Sequence, residues 1–417
     1  MKLLLIILFS FSTLFLFSQP ALQWAYEYRP STGTNYANSV FVDDSGYVYS
    51  TGVIQLTRYK CITVKQKPNG DTIWRRIDEI PNADQGGADV LVDSAGNVFV
   101  CGNPLLRKYD RNGNLLLKKF DTLNTLPLGA EKILKDSKNK LIIGTEGAYY
   151  GLHASAIVIC KINPDDGSII WRRLFNTETS GYALNDIKID KNDNIIIAGE
   201  YGSTTPPNYA DIIIAKCSSS GDSLWAWKYN GPGPSGSTSD FALKTAIDDT
   251  GNVYAACWST NELGGGDFFT VKLTPFGDTV WTRRFNINNG GSGATDIGVD
   301  NAGNVYVTGL TSISNFTTIK YKNDGTFQWF RTLQGVAFPY YPMQTLDTVG
   351  NIYVGCEKYR GSSTDILICK YNPNGEQVWT AVYPGTGNSL SAHAEKILVD
   401  KNNFVYVCGV KSYSYLV

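Results

Sequence analysis

The sequence predicts an all-β chain, an eight-bladed β-propeller of four-stranded antiparallel blades. Three observations predict it. A phrase of the form Asp-x-x-Gly-Asn-apolar-Tyr-apolar, clearest in "VDNAGNVYVTG" (299–309), returns eight times in 417 residues. A second phrase, Lys then Gly then Trp, alternates with the first. The alternating runs left at the two ends supply the strands that the repeats lack.

The first phrase aligns on Asp43, Asp93, Asp136, Asp190, Asp248, Asp300, Asp347 and Asp400, at intervals of 43 to 58 residues with a mean of 51. Such a period marks solenoids or propellers. Apolar alternation on either side of the Asp marks two strands. Between them, the Asp carboxylate accepts from backbone N–H groups ahead of it, and Gly takes the positive φ that closes a type I turn with a bulge. Gly46, Gly96, Gly251, Gly303 and Gly350 hold that place. Asn139, Asp193 and Asn403 replace it in the other copies, and these are the next best residues for the left-handed region.

The second phrase, as in "KQKPNGDTIW" (65–74) and "KLTPFGDTVW" (272–281), is a second hairpin whose last strand carries an aromatic anchor. The anchors are Trp74, Trp171, Trp225, Trp281, Trp329 and Trp379, with Leu117 in the second copy. Two hairpins make one four-stranded sheet. Eight first hairpins and seven second hairpins leave two fragments. "LQWAYEY" (22–28), anchored by Trp24, reads as an outer strand, and "YSYLV" (413–417) as a third strand. If the fragments share a sheet, the N-terminal outer strand and the C-terminal inner strands close the circle and leave only short, protected edges. The alternative is a seven-bladed ring with a loose extra hairpin.

The first residues, "MKLLLIILFSFSTLFLFSQP", combine Lys2, an apolar run from Leu3 to Phe17 and the small Ser18. They read as a secretory signal peptide, residues 1–18, leaving 19–417 as a single propeller domain. The competing reading is an uncleaved anchor, for which the apolar core is short. No Cys stands near the cut, as a lipid anchor would need, and no other segment is apolar enough to span a membrane. A secreted, cell-surface or periplasmic protein is expected.

The formal charge is −1 and no basic tract stands out, which argues against a nucleic-acid partner. The eight cysteines sit mostly in or beside apolar strand runs such as "VFVCG" and "IVICK". There they act as small buried hydrophobes, although an exported chain leaves a disulfide open. No Cys-x-x-Cys exists to support a zinc or thioredoxin-like site.

The combined pattern D-x-x-G-N-V-Y-V-T-G…K-Y-N-x-x-G-x-x-x-W resembles the bacterial β-propeller repeat family called SBBP, over essentially all of 19–417. The resemblance implies a propeller on an exported bacterial protein and implies no reaction. Departures are Cys257 and Cys356 near the terminal Gly, Leu117 for Trp, and a degenerate third copy, "KDSKNKLIIGTEG" (135–147).

Both hairpin turns are tight, whereas the connections between second and third strands, and between blades, vary in length. The variable set emerges on one face, where a binding surface is expected. Its aromatic residues Tyr149, Tyr150, Tyr201, Tyr209, Trp258, Phe338, Tyr340 and Tyr341 are the candidate contacts to a protein or glycan. The plainer reading is that each pads its loop. The Asp turns offer too few oxygens for calcium. The Gly-x-x-x-Trp element is similar to that of eight-bladed quinoproteins, but no adjacent cysteine pair accompanies it. Only His153 and His393 are available for acid–base work, and no Gly-x-Ser-x-Gly elbow appears. The expectation is a non-catalytic binding or structural module with no cofactor and no metal. The alternatives are a propeller enzyme (quinoprotein-like, or a glycan-active hydrolase or lyase) and a subunit of an envelope assembly.

Overall fold

The computed structural model describes residues 20–30, 33–79, 84–123, 126–127, 129–149, 154–175, 180–203, 210–234, 239–287, 291–312, 315–336, 343–385, 391–411 and 414–417. The described residues form strands and turns, with no α-helix. Eight four-stranded antiparallel sheets make eight blades. Blade 1 runs through Asn35–Val42, Val48–Gln55, Tyr59–Gln66 and Thr72–Asp78. Blades 2 to 7 occupy 86–119, 132–175, 180–229, 241–285, 293–334 and 343–383. A two-stranded ribbon, Thr122–Leu123 with Leu126–Pro127, joins blades 2 and 3.

Blade 8 closes the circle as expected. Its inner strands are Ala392–Val399, Val405–Lys411 and Ser414–Leu416, and its outer strand is Glu27–Tyr28 from the other end of the chain. Glu27 pairs with Leu416 and Tyr28 with Tyr415. Tyr26 and Val417 extend the ladder by exchanging two backbone hydrogen bonds of 2.9 and 3.0 Å.

The turn chemistry follows the expectation residue by residue. Among described non-glycine residues, positive φ occurs at Asn139 (58°), Asp193 (62°) and Asn403 (65°), the three places where the first turn lacks Gly. Each repeat Asp caps its own turn. Asp300 Oδ1 accepts from Ala302 N at 3.0 Å and Asn304 N at 2.8 Å. The terminal Gly of the phrase has a different cause. The first strand carries a bulge, for example between Ala294 and Asp296, that presses its backbone onto the second strand. A Cβ on Gly309 would lie 2.0 Å from the Gly293 carbonyl oxygen.

Blades are held together by a clasp built from the second phrase. Lys and Trp face each other across the third and outer strands, as Lys272 faces Trp281. Both donate to one carbonyl in the next blade: Trp281 Nε1 reaches Asn323 O at 3.0 Å, and Lys272 Nζ reaches it at 3.2 Å. Arg283 Nε donates to Gly325 O at 2.7 Å. The same indole bond joins Trp24 to Pro68, Trp74 to Arg111, Trp171 to Ser219, Trp225 to Pro275 and Trp329 to Pro373. Leu117 fills the equivalent place against Gly167 by packing alone. Trp379 has no such turn ahead of it, because blade 8 is closed there by the two chain ends, and it packs on Tyr353 at 5.8 Å. All eight cysteines are buried free thiols. Away from the axis the blades meet through apolar faces and clasps, with no disulfide between them.

Candidate functional site

Both ends of the axis are set by the innermost strands. The residue four places before each repeat Asp lies on the innermost strand, where charged members meet across blades and Met343 packs into the core between blades 7 and 8. In order around the circle these are Ser39, Asp89, Lys132, Asp186, Lys244, Asp296, Met343 and Lys396. Acid and base alternate through five successive blades. Lys396 Nζ of blade 8 lies 3.3 Å from Asp89 Oδ1 of blade 2, a reach across blade 1 that only axial side chains can make. Between them, Ser39 Oγ donates to Asp89 Oδ1 at 2.5 Å and accepts from Lys396 Nζ at 2.9 Å. Each Asp also stitches its blade to the next. Asp89 Oδ2 accepts from Ile133 N (3.3 Å), Asp186 Oδ2 from Thr245 N (3.0 Å), and Asp296 Oδ2 from Gln344 N (2.8 Å).

The girdle is unevenly balanced. Despite burial, the lysines around Asp89 and Asp186 hold both carboxyls below the ordinary range. At Asp296 burial outweighs Lys244, the Gln344 and Ile297 N–H groups and Lys188, and pushes the pKa up to about 6. A carboxyl raised in the folded state binds its proton more tightly there than in the unfolded chain. Its contribution to stability is complete below about pH 4 and is lost as pH rises through about 6. Asp296→Asn, which keeps an oxygen for Gln344 N–H, is therefore expected to stabilise the protein at pH 7.5. The shift corresponds to at most about 3 kcal/mol, and a gain on the order of 1–2 kcal/mol is expected once the chain around the carboxylate relaxes. Urea unfolding at pH 7.5 and pH 4 checks it: the gain should vanish at the lower pH.

Beyond the girdle, toward the variable face, stands a mouth of carboxylates. Ten residues after the repeat Asp, the second strand carries Glu146, Glu200 and Glu357. Five places before the repeat Asp stand Glu395, in the bulge of its first strand, and Glu131, just ahead of the strand Lys132–Lys135. Two of the three second-strand groups face the first strand of the next blade. Glu146 Oε1 accepts from Leu184 N at 2.8 Å, and Glu357 Oε2 lies 2.7 Å from His393 Nδ1. Burial, then the neighbouring Glu146, raises the Glu131 pKa to about 7. Burial, then Glu357, raises Glu395 to about 7. The hydrogen bond to Glu357 raises His393 above its ordinary value. Tyr36 of blade 1 occupies the same repeat position as His393 and is raised by burial, then by Tyr59 and Glu395. Proton-holding acids beside a paired imidazole can give and take protons near neutrality.

The aromatic candidates divide. Tyr201 and Trp258 end second strands on the variable face, in the strands Ile195–Ser203 and Val253–Thr260. Tyr201 stacks on Tyr182 at 5.9 Å under the Lys228 ammonium, 4.0 Å from its ring, and its pKa is raised to about 12 by burial and by Asp211. Trp258 stacks on Phe241 at 6.0 Å and lies over Gly266 and Gly293. Both rings are half-buried between blades, so padding is part of their role. Tyr149 ends the strand Leu141–Tyr149. Tyr150, Tyr209, Phe338, Tyr340 and Tyr341, and His153, lie outside the described residues. Among the described residues no group of three His, Cys, Asp or Glu could hold a metal. The girdle and the mouth went unnoticed in the sequence. Reading the eight repeats column by column, four places before and ten after the Asp, would have found them.

A chain of eight four-stranded wedges around a charged axis is a β-propeller by construction. Residues 280–317, from the outer strand of blade 5 into the third strand of blade 6, match the family described as SBBP, beta-propeller repeat. No curated protein matches the sequence. Among solved structures, Sqt1 from Chaetomium thermophilum is similar at TM-score 0.60 and 8% identity, over 92% of this chain and 96% of its own. The polysaccharide lyase Uly1 is similar at TM-score 0.52 and 11% identity, over 78% and 87%. A PL25 ulvan lyase bound to -[GlcA(1-4)Rha3S]- is similar at TM-score 0.50 and 11% identity, over 88% and 96%. At these identities the likeness shows the fold alone.

Proposed function

We propose that this chain is an exported, non-catalytic binding module whose variable face engages a glycan or protein ligand. One observation carries the reading. On the tight-turn face the repeated polar groups are used by the scaffold itself, as turn caps and clasps, whereas the variable face differs from blade to blade. There the second-to-third connection is two residues in blade 7, 361–362, and five in blade 5, 261–265. Invariant side chains hold the ring; varied ones are left for recognition. The N-terminal segment supports export, and no helix among the described residues is long and apolar enough to cross a membrane. Glycan-array and surface-protein capture with residues 19–417 tests the proposal. Saturable binding weakened at least tenfold by Tyr201→Ala or Trp258→Ala, without a change of fold, supports it. Retained affinity in both variants rejects the variable face.

A second reading, a propeller enzyme, is favoured by the pairing of Glu357 with His393 beside a Glu395 that holds its proton to about pH 7. Turnover of an acidic glycan by residues 19–417, abolished in His393→Ala and in Glu395→Gln, would move the assignment to this reading.

A further inference from the structure

On the opposite, tight-turn face, a groove of about 380 Å³ separates blades 2 and 3. Four lysines line it: Lys108, Lys135, Lys138 and Lys140. Three of them are departures from the repeat, and all three fall in the degenerate third copy. Immediately before the repeat Asp, the seven other blades carry Val42, Val92, Ile189, Ile247, Val299, Leu346 and Val399; blade 3 carries Lys135. Two places after the Asp, every other copy is uncharged; blade 3 has Lys138. Four places after it, five copies have Asn and two have Tyr47 and Phe404; blade 3 has Lys140. In a repeat protein the other copies report what the scaffold needs. Three substitutions to one charge, in one copy, around one groove, are not required by the scaffold.

Lys108 and Lys140 are anchored: Lys108 Nζ donates to Pro164 O at 3.0 Å, and Lys140 Nζ to Asn163 Oδ1 at 2.8 Å. Among the described residues the Lys135 and Lys138 ammoniums take part in no hydrogen bond or ion pair within 4 Å. The nearby Asp193 carboxylate is itself bonded to Ser137 Oγ and N, and these bonds, with a smaller part from Lys138, hold its pKa below the ordinary value. Lys138 is exposed and Lys135 half-buried. Two carboxylates share the lining. Asp93 is committed to its own turn through Ala95 N, Asn97 N and Asn97 Nδ2, and Asp165 lies 3.9 Å from Lys108.

We propose that this groove binds the sulfate or carboxylate groups of an acidic polysaccharide. Lysine ammoniums recognise oxyanions as point charges, and the amide of the exposed Asn139 beside them suits sugar hydroxyls. An exposed aromatic or aliphatic anchor of the kind a protein partner needs is missing from the lining, where Phe99 and Leu141 are buried. The lining also lacks the open aromatic faces on which nucleic-acid bases stack. This groove is on the other face from the site proposed above and does not depend on it.

Titration calorimetry of residues 19–417 against dextran sulfate, polygalacturonate, neutral dextran, poly-glutamate and single-stranded DNA, at 150 mM salt, tests the proposal. The test variant, Lys135→Val with Lys138→Ala and Lys140→Asn, rewrites the groove in residues that other blades use, so the fold is expected to hold. Circular dichroism and an unchanged unfolding midpoint verify this. The expected result is binding to dextran sulfate, polygalacturonate or both, each titration identifying its own anion, with a loss of at least tenfold in the variant and less than twofold in Lys322→Gln, a lysine in blade 6. Equal binding of neutral dextran, tighter binding of poly-glutamate or DNA, or a variant within twofold of the parent overturns it. If the triple variant fails to fold, Lys138→Ala alone, at an exposed position, is expected to lose at least threefold, and parental affinity there overturns the proposal.

Discussion

Trp281→Ala is expected to cost about 3–5 kcal/mol of folding free energy, among the largest effects of any single substitution here. The indole is 7% exposed and spans two blades. It packs between Tyr254 and Tyr321, each with its ring centre 6.2 Å away. Its N–H donates to Asn323 O, and a Cβ on Gly325 of the next blade would stand 2.9 Å from the indole. Alanine removes the ring from both blades at once and leaves the Asn323 carbonyl with Lys272 alone. The clasp geometry also separates the tryptophans. Trp379, with no turn of blade 8 to reach, is half-buried, and Trp379→Ala is expected to cost less, about 1–2 kcal/mol. Equilibrium denaturation in guanidinium chloride measures both. A loss under about 1 kcal/mol at Trp281 would remove the clasp as the main bond between blades.

Deleting residues 19–30 is expected to lower the thermal midpoint by roughly 10 °C, the equivalent of several kcal/mol in a domain of this size. The deletion removes the outer strand of blade 8 and the two backbone bonds between Tyr26 and Val417. It also removes the Trp24 clasp on Pro68 and the Glu27 carboxylate, which lies 2.7 Å from Lys411. Tyr415 and Val417, both buried, would become an open edge. Scanning fluorimetry of 31–417 beside 19–417 checks this. An unchanged midpoint would mean that blade 8 does not need its outer strand. Trp24→Ala, which keeps the strand and loses only the clasp, should fall between the two.

Much of the fold was legible because the repeat writes local rules many times. Asn139, Asp193 and Asn403 stood out as turn residues since Asn and Asp tolerate positive φ better than other non-glycine residues. Leu117 was visible as a departure, although only the Gly167 contact shows that it does the packing of a Trp. The fragments 22–28 and 413–417 were matched by the strands each lacked, and Tyr28 does pair with Tyr415. The sites were far less legible. Asp89, Ser39 and Lys396 are separated by up to 357 residues, and nothing local about them announces a network. The lysines of 135–140 are no basic tract in the sequence and become a groove only with Lys108 across the blade boundary.

The chain by itself determined the repeated strands, the turns and the complementary fragments at its two ends. These follow from alternation, from φ preferences and from counting, all of which act within one repeat or in sequence order. The structure settled that the two fragments share one sheet and make eight blades rather than seven. Tertiary structure alone decided which charges share the axis, which carboxyls keep their protons and which lysines flank a groove. Those properties come from burial and from distances between blades. They depend on side chains brought together by ring closure from repeats that are remote along the chain.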